Sequence, residues 1–531
     1  MAEFAAVPDL LAQRAAEHPD RLYATEVAGR SVTYAQVWSE SRQWAAVLGE
    51  YEVSAGDTVL SIHDPSITAF EVWMGTAALN AIEVPVNTEY IGDLLTHVVT
   101  NSQARVLTCS ARHLPQVLAV RDACPDLRSI LVSGVDSVAD VEGIADVQGI
   151  DVVAVDPLVR AAAPLEDVAH PQAWDIACIV YTSGTTGPSK GVMTGWGHIQ
   201  EATFGMAPRR GFCTPDSVIY DPYPTFHVSG KGGYVASIFG GGRVVIREKF
   251  NTAQFWNDIR EHDCTSVLLM ATTANFVAGQ PPRPDDADSP LRYVMFSPWI
   301  ADVEGFKERF GVEAYTNFNM TEICCPIVAG WDNEVITDPL ACGKARPGFD
   351  LRVVDDHDRE VPTGTIGELV LRPDEPWKIM AGYWKMPEKT VEAWRNQWFH
   401  TGDLFTVDAD GVFRYVDRKK DSIRRRGENI SSMEIEKQVV AHPAVLEAAA
   451  VAVRDEVSGE EVKVVVTLND DATLQHSELA KFLDDRLPRF MRPRYIEIRE
   501  ELPKTPTSKI RKAALREDGV LPMTWDRTTA G

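Results

Sequence analysis

Short apolar runs alternate with amphipathic stretches from the N-terminus to about Phe310. AFEVWMGTAALNA (69–81) has helical spacing, whereas DTVLSIH (57–63) and ARVLTCS (104–110) read as buried strands. The rhythm resumes at Ile176, with SVIYDPY, GRVVIRE, TSVLLMA and RYVMFS as further strands. Strands alternating with helices predict parallel sheets covered by helices. From about Leu340 to Val416 the texture changes. DLRVVDD, GELVLRP and FTVDADGVFRYV, the last turning at Asp410-Gly411, predict a small antiparallel sheet or barrel. The densest charge run, DRKKDSIRRRGE (417–428), follows. Beyond it, Ser431 and Glu434 stand at capping-box spacing and open a helix to about Val440. VLEAAAVAV and VKVVVTL read as strands and SELAKFLDDRL as a helix, so a separate small α+β unit follows a boundary at 417–421.

Composition narrows the classes. The 531 residues exceed one core and suggest roughly three to four domain-sized units. Hydrophobic residues at 45% and charged residues at 24% describe an ordinary globular chain. The formal net charge of −25 argues against nucleic acid or an anionic membrane surface as the main partner. No apolar run approaches the ~18 residues of a transmembrane helix, so no integral membrane segment is expected. The acidic N-terminal stretch is unlike a signal peptide. The eight scattered cysteines include no CxxC, which points to reduced thiols and a cytoplasmic setting.

The strongest chemical signal is IACIVYTSGTTGPSKG (176–191), a buried-strand run that ends in small hydroxyl and glycine residues closed by Lys190. Glycines allow successive N–H groups to turn inward as an anion nest, and hydroxyls add donors around a phosphate. The Walker A pattern fails because Ser189 stands where its second glycine belongs. Gly240-Gly241-Gly242 reads as a turn between a helix and a strand. Asp408-Ala409-Asp410-Gly411 lacks the remaining ligands of a calcium loop and reads as a hairpin turn.

YTSGTTGPSKG resembles the signature of the adenylate-forming superfamily, which comprises acyl-CoA synthetases, peptide-synthetase adenylation domains, luciferases and related amide-forming ligases. Further blocks follow in order: PTFHVSG (224–230), NFNMTE (317–322), HTGDL (400–404), YVDRKKDSIRRRGENIS (415–431) and PKTPTSKIRK (503–512). The resemblance implies an α/β fold with an N-terminal adenylation domain (1–416) of two parallel-sheet subdomains plus a small β-barrel (about 340–416). A hinge at 417–421 and a mobile C-terminal lid (422–531) complete it. It also implies ATP and Mg²⁺, and a carboxylic acid that attacks the α-phosphorus to give an acyl-adenylate and pyrophosphate. A thiol or amine then takes the acyl group and releases AMP. The attacking carboxylate, with an ordinary pKa of about 4, is already ionised at neutral pH. Catalysis then rests on positioning and charge neutralisation.

By resemblance, Thr182, Ser183, Gly184, Thr185, Thr186, Gly187 and Lys190 wrap the polyphosphate. Glu322 holds Mg²⁺, Thr321 touches the α-phosphate, and Phe318 lies against adenine. Asp403 accepts from the ribose hydroxyls. Arg418 contacts ribose and phosphates, with Tyr415 in the same nucleotide-binding block. Lys509 bridges the developing charge at the reacting groups. His227, Val228, Ser297, Trp299 and Asn319 line the acyl side, Lys420 is the pivot, and Gly427 lines the acceptor channel.

Three departures reshape the expectation. Ser297, Pro298 and Trp299 replace smaller residues, and the indole either caps the acyl pocket or fills the subdomain core. Ser508 precedes Lys509 where glycine is usual, and Asn319 stands where glycine is common. The residues resemble most the bacterial acyl-CoA and carnitine-CoA ligase-like branch, with CoA as co-substrate and room for a homodimer. An amide-forming ligase with an amine acceptor is the alternative. A carrier-protein ligase and a non-catalytic nucleotide-binding protein stand behind it.

Overall fold

A computed structural model describes residues 4–141, 149–182, 189–206, 212–330, 338, 340–425, 428–455, 459–504 and 509–529. The chain divides into two compact units. The first comprises residues 1–182, 188–350 and 373–392; the second comprises 183–187, 351–372 and 393–531.

In the first unit, one sheet runs in the order Ser31–Thr33, Leu22–Glu26, Arg243–Ile246, Val218–Asp221, Ser266–Met270, Tyr293–Ser297, Glu313–Met320, Cys324–Ala329 and Ala341–Ala345. Its strands are parallel from Leu22–Glu26 through Glu313–Met320. The second sheet runs Gly382–Tyr383, Lys190–Gly195, Ile176–Thr182, Ile82–Pro85, Thr58–Ile62, Val106–Ser110, Ser129–Ser133 and Asp151–Ala154. It is parallel from Ile176–Thr182 onward. The expected helix near 69–81 is Ile67–Ala78, capped by Ser66, whose hydroxyl accepts from the Ala69 N–H.

One core joins both sheets. Tyr23, Val244 and Ile246 from the first and Ala177, Cys178 and Val180 from the second enclose Phe70, Trp73, Tyr234 and Ile238 of the intervening helices. Phe70 stacks on Tyr234 at 5.3 Å, and Trp73 on Trp196 at 5.6 Å. Helix Val228–Gly240 ends at Gly241, whose φ of 75° is the turn read from the three glycines.

In the second unit, Gly367–Pro373, Phe399–Val407 and Phe413–Arg418 pair antiparallel, with Phe349–Val354 beside Gly367–Pro373. The hairpin turns as expected at Gly411, φ 78°. The Asp408 carboxylate serves the turn itself: Oδ1 accepts from the Asp410 and Val412 N–H groups, and Oδ2 pairs with Arg414. A further sheet is built on Gly459–Leu468, flanked by Val445–Asp455 and Tyr495–Ile498. Helices Ser432–Val440 and His476–Asp484 bury Ile435, Val439, Leu479 and Leu483 against it. Residues 417–421 lie within this unit. Ser431 Oγ donates to the Val416 carbonyl at 2.8 Å and the Ser432 N–H to Asp417 Oδ2 at 2.6 Å, so the segments on either side of 417–421 are fastened together. Among the described residues no helix is long and apolar enough to cross a membrane.

Asp221, at the end of its strand, is fully buried. It accepts from the Tyr223 and Gly233 N–H groups, and burial pushes its pKa up to about 7. A carboxyl raised in the folded state stabilises most below its unfolded pKa of about 4 and loses that contribution as pH rises through 7. Asp221→Asn removes the titration. The melting temperature of the parent relative to Asp221→Asn should therefore fall between pH 4 and 7 and level off above. A difference independent of pH would place the charge elsewhere.

Candidate active site

Strand Ile176–Thr182 is a fully apolar run through Val180. Its antiparallel partner Lys190–Gly195 returns with Thr182 opposite Lys190. Residues Ser183, Gly184, Thr185, Thr186 and Gly187, the expected phosphate cradle, lie outside the described residues, but the ladder fixes both ends of the loop. Gly191 is required by packing: a Cβ there would stand 2.7 Å from Ile179 and 3.2 Å from the Tyr181 ring.

Beyond Lys190–Gly195 the edge strand places Tyr383 opposite Val192. The Lys190 ammonium lies 4.0 Å from the centroid of the Tyr383 ring, and Tyr383 Oη donates to Glu322 Oε1 at 2.9 Å. The Glu322 carbonyl accepts from the Met380 N–H at 2.9 Å. Burial lowers the Lys190 pKa, while the nearby Glu322 carboxylate opposes that shift. Burial and the same carboxylate raise the Tyr383 hydroxyl, so it remains a donor. A cation, a phenol and a buried carboxylate are thus joined beside the loop ends. Mg²⁺ asks for one or two carboxylates besides phosphate oxygens and water, and Glu322 meets that need.

Glu322 follows strand Glu313–Met320, which leaves the carboxyl edge of the parallel sheet, the edge at which open α/β sheets bind ligands. Phe318 and Thr321 are half-buried there and Asn319 is exposed. Asn319 Nδ2 donates to Asn317 Oδ1 at 2.6 Å and lies 3.4 Å from Ser297 Oγ at the end of the neighbouring strand. His227 precedes helix Val228–Gly240 as its N-cap, half-buried, with its ring 4.7 Å from Phe226, and Val228 packs on the shared core. Trp299 resolves differently from a pocket cap. It is 5% exposed, 5.8 Å from the Phe296 ring, and clustered with Phe306 and Phe310 in the core under the first sheet.

The second unit gathers the other candidates. Gly402, at φ 72°, turns the chain so that Asp403 stands opposite Arg418, with Arg418 Nε 3.6 Å from Asp403 Oδ1. The Asp403 N–H donates to Thr401 Oγ1, which donates to the Leu369 carbonyl at 2.7 Å. Tyr415 lies on the same strand as Arg418, its hydroxyl raised by burial and by Asp403. Lys509 and Lys420 reach solvent as residues, yet partial burial of their ammonium groups lowers both pKa values, Lys420 to about 8. Arg418 adds to both shifts, and Asp403 opposes both. Lys509, some ninety residues downstream, is therefore electrostatically coupled to Asp403 and Arg418. Gly427 lies outside the described residues.

Two residues missed in the sequence support these sets. Tyr383 sits in MAGYW (380–384), where nothing in the pattern announces a contact with Glu322. Glu368, in GELVLRP, accepts from the Gly402 N–H and pairs with Lys419 at 3.1 Å, linking the Asp403 turn to the residue after Arg418. The Lys419 N–H in turn donates to the Gly402 carbonyl at 2.8 Å.

The first unit joins a lysine, a phenol and a buried carboxylate at one hairpin, the second sets an aspartate against an arginine, and the architecture is that of nucleotide-binding, adenylate-forming enzymes. The chain belongs to the AMP-binding enzyme family, whose model matches residues 11–384, with the AMP-binding enzyme C-terminal domain matching 434–509. It is 29% identical over 492 residues to the crotonobetaine/carnitine–CoA ligase of Salmonella heidelberg (strain SL476), covering 92% of this chain and 93% of that one. ATP-bound MatB from Rhodopseudomonas palustris superimposes with a TM-score of 0.82 at 25% identity, covering 96% of this chain and 98% of that chain. The anthranilate CoA ligase AuaEII bound to anthranoyl-AMP shares the fold with a TM-score of 0.83 at 23% identity, covering 98% of each chain.

Tyr383→Phe keeps the ring under Lys190 and removes the donor to Glu322, a charge-assisted bond of about 1.5–3 kcal/mol. The Mg²⁺ concentration for half-maximal ATP–pyrophosphate exchange should rise several-fold in this variant, with the fold intact by circular dichroism. Tyr383→Leu, which also removes the ring, should lose more. Parental Mg²⁺ dependence in Tyr383→Phe would show that the phenol does not orient Glu322.

Proposed function

We propose that the chain joins a carboxylic acid to CoA in two steps. The acid's carboxylate oxygen attacks the α-phosphorus of ATP, the bond to pyrophosphate breaks, and an acyl-adenylate forms. The CoA sulfur, as thiolate, then attacks the acyl carbon, the bond to the phosphate oxygen breaks, and AMP leaves. The observation that carries this reading is the pairing of Asp403 with Arg418 across one ladder, with the Lys509 ammonium shifted by burial and by both of their charges.

Lys190 and the hydroxyls from Thr182 through Thr186 neutralise and orient the triphosphate. Mg²⁺, held through Glu322, would draw charge from the phosphate oxygens. Phe318 gives adenine an apolar face. Asp403 accepts from the ribose hydroxyls, with Arg418 between ribose and phosphate and Tyr415 beside them. Lys509 supplies a cation where negative charge gathers during attack, and Thr321 donates to the α-phosphate. His227, Val228, Ser297 and Asn319 face the acid. Coenzyme A is favoured as acceptor because the Salmonella relative named above is a CoA ligase. A turn about Lys420 would then bring Gly427 to the acceptor channel, and the Ser431–Val416 and Ser432–Asp417 hydrogen bonds would part in the process.

Pyrophosphate exchange over crotonobetaine, carnitine, benzoate, anthranilate, o-succinylbenzoate and a long-chain fatty acid tests the first step; thiol loss with CoA tests the second. No exchange with any acid would defeat the reading, and product with an amine but not CoA would make the chain an amide-forming ligase. Lys509→Ala should slow adenylation by roughly 10²–10³ yet still release AMP from preformed acyl-adenylate and CoA. Gly427→Leu should do the reverse. Interchanged phenotypes would refute the assigned roles.

A further inference from the structure

Helix Val228–Gly240 carries His227 at its N-cap, and one turn on, Lys231 points into the core between the two sheets of the first unit. Lys231 is 3% exposed, and its Nζ donates to Glu83 Oε2 at 2.6 Å. Glu83 is 1% exposed and lies on strand Ile82–Pro85, opposite Cys178 of the strand that leads into the phosphate loop. The same ammonium lies 3.9 Å from the Trp73 ring centroid, and the Trp73 indole N–H donates to the Ala177 carbonyl at 3.1 Å. Two residues further along the helix, the Gly233 N–H donates to Asp221 Oδ2 at 3.0 Å. One helical segment is therefore tied to both sheets through buried carboxylates. The loop before it is equally tight, since a Cβ at Gly230 would stand 2.0 Å from the Pro224 carbonyl oxygen.

A buried ion pair is poor at raising stability, because apolar residues of similar volume commonly serve as well or better. What it does supply is registration: a shift of the helix would leave a buried charge unpaired, which is costly, whereas apolar contacts tolerate sliding. We propose that Lys231 is a positioning residue, which through Glu83 fixes the His227 end of the helix against the phosphate-loop sheet and so sets the acid's position relative to the triphosphate. The proposal rests on the reading of the chain as an acid-activating enzyme. Because His227 and Val228 belong to the acid side, the acid KM should suffer while the ATP KM does not.

The test uses the full chain with Lys231→Met/Glu83→Leu, which removes both charges and fills the space. The acid is whichever of the six above gives the fastest exchange. Three quantities are read: melting temperature, hydrogen exchange of the 224–234 segment by mass spectrometry, and the KM values for acid and ATP. The expected result is a parental or higher melting temperature, faster exchange in 224–234, and an acid KM raised by roughly 10- to 100-fold with the ATP KM unchanged. Glu83→Gln, which keeps an oxygen acceptor for Lys231, should retain most of the parental acid KM and guards against a double variant that fails to fold. Parental exchange in 224–234, or faster exchange with a parental acid KM, would overturn the proposal. If the parent activates none of the acids, the functional reading fails by itself, and parental exchange in the double variant would independently remove Lys231 from any positioning role.

Discussion

The antiparallel return of Lys190–Gly195 along Ile176–Thr182 is the constraint from which the first unit's chemistry follows. It sets Thr182 across from Lys190, and it leaves a ladder edge on which Tyr383 pairs. Tyr383 then spans from the lysine to Glu322, so three residues far apart in sequence share one short chain of contacts. None of these groups needs a flexible search to meet. Strand register places them, and the apolar run through Val180 holds the register by burying the opposite ends of both strands.

The second unit solves a related problem with different means. Asp403 cannot be held by burial alone, since a lone carboxylate in the interior is costly. The structure surrounds its turn with satisfied groups: Thr401 on its N–H, Glu368 on the preceding N–H, and Arg418 across the ladder. Lys419, one residue past Arg418, is bound to Glu368 by its side chain and to Gly402 by its backbone. Lys420, the residue after this doubly anchored one, lies inside a turn in which the Asp421 and Ser422 N–H groups both donate to the Arg418 carbonyl.

Much of the fold was legible because period and turn chemistry agree with it. The strands at 58–62, 106–110, 218–221, 266–270 and 293–297, the turn at Gly411 and the Ser431 cap all fall where apolar alternation and glycine placed them. The candidate residues were legible only through their motif blocks, because lysine, aspartate and threonine in isolation carry no positional information. Tyr383 and Glu368 were missed for the same physical reason: each acts through a contact across tens of residues that no local pattern encodes. Trp299 shows the opposite limit. Its sequence position allowed pocket or core, and in the structure it clusters with Phe296, Phe306 and Phe310 in the core.

The stacked pair Trp73 and Trp196 has an optical consequence. Their rings are 5.6 Å apart and 12° from parallel, close enough for their electronic transitions to couple, and Trp196 directly follows the strand that begins at Lys190. With the Lys231 ammonium on the Trp73 face, this indole also feels a fixed positive charge that bulk solvent does not screen. Coupling of this kind is strongest through the intense far-ultraviolet indole band, so the circular dichroism there would carry a couplet from the junction of the two sheets. Among the described residues Trp73 and Trp196 are the tryptophan pair in stacked contact, which ties that signal to this junction.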